Sequence, residues 1–365
     1  MSVAIVGSGL AGFTAYQVLR RAGLEPGEIA VFGIDEDPAA VWRKQAAAIR
    51  QREMRSESDG HCRPTTFPGL AFSSVRRRRS LRPLIESACD RYHPTVEEFL
   101  AHVERRRERS GWERSVRSAR IERIAAVEGG FELDGRGRFA HVLVAPGHPG
   151  LAWPEELRDD PRAVHAYEPH EYAATVTVVG AGLAAATEWL NALEAGAEVV
   201  SVRRHEPRRM PLNVPREYFS RRGLAGFHRL ADGERAAHLR ELLMPSYPLG
   251  QQFDEPLERA ARDGRFRVEH SVNGSAQVIC ATGFLRGFVH DPLLARLVAE
   301  HGLQTVDGWI VLAPDGAVAS LSDDMRTLAL AGAASQWAFP AADTLAGARY
   351  VAHGFVRRIT SCRTR

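Results

Sequence analysis

Two glycine-rich turns carry the residue types and spacing that bear most directly on chemistry. The first is Gly7-Ser8-Gly9-Leu10-Ala11-Gly12, the second Gly180-Ala181-Gly182-Leu183-Ala184-Ala185. The first glycine of such a turn permits a tight reversal. The second lets the backbone come close to a pyrophosphate. The small residue at the last position lets the next helix pack on the preceding strand. Unpaired N–H groups at the helix start then hold the anion. One such turn is weak support. Two, each between a strand and a helix, point to two dinucleotide sites.

The elements that must position these turns are legible on either side. A β-branched run precedes each, residues 2–6 and Thr175–Val179. A helical pattern follows each, expected over Phe13–Ala22 and Ala186–Gly196, and then a second strand, Ile29–Phe32 and Glu198–Val202. The second of these strands runs into Arg203-Arg204-His205-Glu206-Pro207. An acidic residue there would meet ribose hydroxyls, whereas paired arginines suit a 2′-phosphate. The residues therefore predict NADPH over NADH, with Arg203 and Arg204 as the clamps.

Between the two units, 120–127, 131–133 and 139–144 read as short strands of a meander, ending in the turn-rich stretch 145–150. Helices are expected over 233–243 and 255–262. Strands are expected over 276–280 and 328–331, with a last helix starting near Pro340 and Ala341.

Composition narrows the field. The chain has 365 residues, 44% hydrophobic and 25% charged, which excludes a disordered chain or a fibre. No apolar run is long enough for a spanning helix, so no membrane partner is expected. A net charge of +3 is too mild to argue for nucleic acid. Of the 48 basic residues only Lys44 is lysine. Cys62, Cys89, Cys280 and Cys362 form no C-x-x-C pair and no metal-ligand spacing, so neither a dithiol relay nor a metal site is expected. No signal segment is read at the start, and a cytoplasmic location is the expectation.

With these motifs the chain resembles flavoproteins that carry two dinucleotide-binding domains, in particular class B flavin-containing monooxygenases and N-hydroxylases. The resemblance implies an α/β fold with two Rossmann-like, three-layer ββα domains. The first turn would hold FAD through Gly7, Ser8, Gly9, Leu10, Ala11 and Gly12. The second would hold NADPH through Gly180, Gly182, Leu183 and Ala184. The NADPH domain would be inserted into the FAD domain, giving 1–160 and 279–365 to FAD and 161–278 to NADPH. The implied reaction reduces FAD with NADPH and transfers one oxygen atom from a flavin hydroperoxide to an amine or sulfur of a small molecule, with molecular oxygen as co-substrate.

Further residues follow from the resemblance. The Ala281-Thr282-Gly283-Phe284 tetrad matches an A-T-G-[FY] element at the return crossing, where Thr282 would hydrogen-bond the linker. Ala145-Pro146-Gly147 is its weaker counterpart on the outward crossing. His165-Ala166-Tyr167 resembles an H-S-x-x-Y segment, as an NADPH contact or as plain linker. Trp42 matches a family tryptophan, either beside the flavin or simply packed. Gly332, Trp337, Phe339 and Thr344 stand where the family makes its final FAD contacts, with Trp337 and Phe339 walling the ring. Arg55, Ser56 and Asp59 lie on a polar segment expected near flavin or substrate. The stretches 213–222 and 244–248 are expected on the substrate side, in a cap.

The chain also departs from the pattern. The acidic residue expected after Val31-Phe32 is replaced by Gly33, with Asp35 the nearest substitute and Glu36 the second. The usual Gly-Asp near the C-terminus is Gly332-Ala333. Two other readings therefore stand beside the monooxygenase: a flavin reductase or dehydrogenase without a dithiol, and a non-enzymatic protein retaining only the nucleotide folds. The catalytic residues and substrate are not legible. The oligomeric state is left open, a homodimer included.

Overall fold

A computed structural model describes residues 2–55, 70–88, 92–210, 212–248, 251–272, 274 and 276–361. Its strands are β1 (Val3–Val6), β2 (Ile29–Gly33), β3 (Val116–Ser118), β4 (Ile124–Val127), β5 (Gly130–Leu133), β6 (Arg138–Phe139), β7 (His141–Val144), β8 (Ala163–His165), β9 (Thr175–Val179), β10 (Glu198–Val202), β11 (Arg208–Arg209), β12 (Ser246–Tyr247), β13 (Phe266–Glu269), β14 (Gln277–Cys280), β15 (Thr305–Val306), β16 (Trp309–Ile310) and β17 (Thr327–Leu330). The helices that matter here are α1 (Leu10–Arg21), α2 (Ala40–Ala48), α3 (Val96–Ser110), α4 (Leu183–Glu194), α5 (Arg221–His228), α6 (Asp232–Leu242), α7 (Gln251–Arg262) and α8 (Leu345–Ser361).

Two five-stranded parallel sheets dominate. The first has the order β17-β7-β1-β2-β3, the second β13-β10-β9-β14-β8. Every neighbouring pair in both is parallel. Parallel strands are covered on both faces, which is why β1 reads as an unbroken apolar run with all four residues buried. Its side chains alternate between the two layers. Val3 and Ile5 face the cluster built with α1 and α8. Ala4 and Val6 face the cluster that includes Phe131, Leu133 and Phe139 of the antiparallel sheet β4-β5-β6. The layers are therefore sheet, sheet and helix, as the α/β expectation required. The second sheet packs Val176, Val178 and Val199 against Trp189 of α4 and Leu257 and Ala260 of α7.

Several boundaries move. Both fingerprint helices start three residues earlier than expected, at Leu10 and Leu183, because the turn's last residues already form the first helical turn. The meander starts at Ile124, and the unread β3 extends the first sheet at its edge. The run 139–144 splits at Ala140, giving β6 to the meander and β7 to the parallel sheet. The last helix begins at Leu345 rather than near Pro340. Thr344 precedes it and accepts a hydrogen bond from Gly347 N at 3.1 Å, the contact of an N-cap residue.

Candidate functional site: two facing nucleotide cradles

The two glycine turns are assembled by the same collision. Gly7 has φ +113°, and a Cβ there would lie under 3.0 Å from the carbonyl of Ala145, at the end of neighbouring β7. Gly180 has φ +139° and stands in the same relation to Ala281, at the end of β14. Neither position admits a side chain. A Cβ on Gly12 would run into the carbonyl of Gly7, so α1 lies tightly on its own turn. The middle glycines differ: around Gly9 and Gly182 a Cβ would meet nothing within 4 Å. Open space at the middle glycine, between two jammed positions, is a cradle.

Each cradle ends on a helix start without a side-chain cap. Gly9 and Gly182 are the N-cap residues of α1 and α4, and neither helix has an acid in its first turn. The leading N–H groups and the helix dipole remain available to a pyrophosphate. Leu10, Ala11, Leu183 and Ala184 thus contribute backbone. The residues fit two dinucleotides at the phosphate end.

The expected neighbours of the first cradle separate into groups. Gly332, with φ +67°, brings the C-terminal segment to α1, where its Cβ would sit 3.2 Å from that of Ala11. Ser8 is only 6% exposed. Asp35 and Glu36 are exposed and lie beyond the end of β2. Asp37 instead caps the local turn, accepting from Ala39 N at 2.9 Å and pairing with Arg43 at 2.9 Å. Trp42 is half-buried on α2, edge to face with Phe99 of α3 at 4.8 Å. Arg55 reaches into the other half of the chain, donating to the Met210 carbonyl at 2.7 Å and to Ser246 Oγ. Ser56 and Asp59 lie outside the described residues.

The ring-wall expectation shifts in character. Trp337 is fully buried and Phe339 nearly so, both within a cluster that includes Val214, Leu224 and Phe227. The Arg235 guanidinium of α6 lies 5.0 Å above the Trp337 ring, and His228 Nε2 contacts the Ala338 carbonyl at 2.7 Å. Helices α5 and α6 therefore seal this wall from behind; of the two helices expected in the insertion, 233–243 is α6, whereas 255–262 belongs to α7 and packs on the second sheet instead. Asn213 Nδ2 donates to Asp343 at 2.9 Å and ties the same stretch to the C-terminal segment.

At the second cradle, Arg203 and Arg204 play unequal parts. The Arg203 side chain is 13% exposed, pairs with Glu206 at 2.9 Å and lies over the Trp189 ring. Arg204 is 85% exposed, with Glu156 at 3.9 Å. Of the two, Arg204 is the less constrained by its neighbours.

The crossings between the halves run side by side. Leu151 and Phe284 form an antiparallel bridge. Ala152 N donates to the Gly283 carbonyl and Leu285 N to that of Gly150, each at 2.9 Å. Thr282 Oγ1 donates to the Ala152 carbonyl, the linker bond that the tetrad predicted. Phe284 is stacked between His148 at 4.4 Å and Tyr167 at 4.7 Å, and Tyr167 stacks on His165 at 5.7 Å. Burial holds the Tyr167 phenol neutral, pushing it up to about 12. It also lowers the His165 imidazole. Both are neutral packing groups of the hinge.

Sequence reasoning missed Gln336. It is 2% exposed, its Nε2 has no hydrogen-bond partner among the described residues, and it lines a crevice with His148, Arg286 and Ala333. Only its place between Gly332 and Trp337 hinted at it. Cys280, at the end of β14, is buried among apolar side chains, and burial pushes its thiol up to about 12. A thiol so held is inert as a nucleophile. Among the described residues no His, Cys, Asp and Glu cluster could hold a metal, and no helix is long and apolar enough to cross a membrane.

No family model matches the chain, and no curated protein matches it in sequence. Solved structures match it end to end. An ornithine N-hydroxylase from Kutzneria sp. 744 is 15% identical over 100% of this chain and 99% of its own, with TM-score 0.71. L-lysine 6-monooxygenase from Pseudomonas syringae is 16% identical over 99% of each, with TM-score 0.68. The chain has the fold of a two-dinucleotide-binding-domain flavoprotein. Bacillithiol disulfide reductase from Bacillus cereus matches that fold as well, at 14% identity over 99% and 98% and TM-score 0.60. The resemblance to class B flavin monooxygenases and N-hydroxylases thus holds for the fold.

Proposed function

We propose that the chain is an NADPH-dependent FAD monooxygenase that transfers one oxygen atom to an amine or sulfur of a small molecule. The observation that carries this reading is the pair of open cradles at Gly9 and Gly182, joined by one double crossing. The fold shared with two amino-acid oxygenases supports it. In this reading residues 1–160 and 279–365 serve FAD and 161–278 serve NADPH. Bound FAD would supply hydride acceptance from NADPH and activation of molecular oxygen.

The chain's residues do the rest. Gly7, Ser8, Gly9, Leu10, Ala11 and Gly12 hold the FAD pyrophosphate, and Gly180, Gly182, Leu183 and Ala184 that of NADPH. Arg204, backed by Arg203, takes the 2′-phosphate. Gly332 and Thr344 shape the C-terminal side of the FAD site, and Thr282 and Gly283 fix the hinge. Asp35, Trp42, Arg55, Ser56 and Asp59 complete the FAD side in this assignment. Trp337 and Phe339, sealed by α5 and α6, keep water from the reacting centre. The substrate is a small molecule rather than nucleic acid, and the location cytoplasmic.

The test is direct. Purified protein should be yellow or become so with FAD, and NADPH should bleach it faster than NADH. A panel of small amines and thioethers under labelled oxygen should give a product carrying one labelled atom. NADPH oxidation yielding only peroxide across the panel, with rapid reduction of small disulfides, would establish the reductase reading. The likeness to bacillithiol disulfide reductase keeps that reading in play. The inert Cys280 does not favour it.

A further inference from the structure

The place where the family pattern puts a ribose-binding carboxylate is filled by another residue. A Cβ on Gly33 would lie under 3.0 Å from Ser8 Oγ, Cβ and N. The Ser8 side chain therefore occupies the volume through which a residue-33 side chain would leave the strand. The register explains it: Val6 pairs with Phe32, and Gly7 N donates to the Phe32 carbonyl at 2.7 Å, so Ser8 lands beside Gly33. Ser8 is 94% buried, yet its hydroxyl makes no hydrogen bond among the described residues. Its Oγ is not among the fully enclosed polar atoms, so an incoming hydroxyl can reach it and supply the bond it lacks.

The acidic residues nearest in sequence stand past the strand. Asp35 and Glu36 are exposed beyond the strand end, after Ile34 at 62% exposure. Arg117 of β3 lies over the Phe32 ring at 5.6 Å, one residue from the Gly33–Ser118 pair. The rim at the end of β2 thus has no carboxylate at the strand end itself.

We infer that Ser8 Oγ is the adenosine-ribose ligand of the first cradle, replacing the carboxylate, and that Gly33 is glycine because Ser8 needs its space. A hydroxyl both donates and accepts, so it suits a ribose hydroxyl, but as a neutral partner it binds less strongly than a carboxylate. This inference rests on the assignment of FAD to the first cradle, and the experiment separates the two.

FAD and an FAD analogue with a 2′-deoxyadenosine half are titrated into apoprotein, with quenching of flavin fluorescence as the readout. The wild type should prefer FAD roughly three- to tenfold. Ser8→Ala, which fits the same space, should bind FAD more weakly by a similar factor and lose the preference. A purely structural role for Ser8 would weaken both ligands equally and leave the ratio intact, which overturns the inference. Loss of the preference in Asp35→Ala instead of Ser8→Ala also overturns it. Failure of the wild type to bind either flavin would defeat the cofactor assignment itself. As a converse, Gly33→Glu should bind FAD poorly alone and recover when combined with Ser8→Gly. No recovery in a double variant of native circular dichroism counts against the shared-space argument.

Discussion

In the first sheet β1 runs between β2 and β7; in the second, β9 runs between β10 and β14. The strand that crowds each glycine turn is in both cases the one that leads out to a crossing. Gly7 is pressed on Ala145 and Gly180 on Ala281. The phosphate ends are therefore built alike, from backbone. The units part company in two places. The last turn position is Gly12 in one and the buried Ala185 in the other, so α1 sits closer to its turn than α4 needs to. The strand ends carry a neutral Ser8–Gly33 pair in one and two arginines in the other. Anchoring a dinucleotide is a backbone problem with one solution. Telling one dinucleotide from another falls to side chains at the end of the second strand.

The largest effects should come from filling the jammed positions. Gly180→Ala should abolish reduction by NADPH while FAD content stays at wild-type level. Gly7→Ala should cost FAD and roughly 2–6 kcal/mol of stability, from backbone strain and overpacking. Flavin absorbance per chain and thermal melting read both out. Equal loss of FAD in the two variants would break the assignment of one cofactor to each cradle. Next, Arg204→Ala should raise KM for NADPH about 10- to 100-fold and leave NADH unchanged, the size of a lost charge-assisted hydrogen bond. A parallel rise for NADH would remove the phosphate role. A smaller change is expected at the hinge. Thr282→Val deletes the bond to Ala152 and should lower stability by about 1 kcal/mol, seen as a shift in Tm.

The smallest effect sets a strand histidine of the first sheet against a loop histidine beside the second, through protons. His141 of β7 is buried, and burial lowers its pKa from 6.5 to about 4. The unfolded chain therefore takes up a proton first, so His141 supports the fold above pH 6.5 and that support is lost as pH falls toward 4. His170 is also buried, which alone would lower its pKa, but its hydrogen bond and charge attraction to the buried Glu188 at 3.0 Å raise it instead. Its contribution is present below pH 6.5 and is lost as pH rises through its folded value. Imidazole titration by NMR should place the two on opposite sides of 6.5. Finding both on the same side would remove the contrast.

Sequence carried the glycine turns, the second strands and the return tetrad, because each is a local backbone demand that few residues can meet. It did not carry β3 or β13, which are three- and four-residue edge strands with exposed side chains. It placed the last helix at Pro340, since a proline often opens a helix, whereas the residues up to Thr344 turn first and Thr344 supplies the cap. Trp337 was legible as an aromatic near the flavin side. Its partner Arg235, about a hundred positions away, was not. The fit of Ser8 into the space left by Gly33 likewise depends on strand register, which no spacing along the chain reveals.

The paired crossings have a topological consequence. Ala152 and Gly283 are joined by a 2.9 Å hydrogen bond, so the chain leaves the first half and re-enters it at nearly one point. Seen from there, everything between is a single closed loop, however large. Its ends are already held together, and little extra entropy is needed to close it. A short turn linking 152 to 283 would thus preserve both strand ends. Exchange of the whole intervening lobe for another nucleotide-binding unit needs compatibility at the paired crossings and the docking face, but no change in the path of the first half.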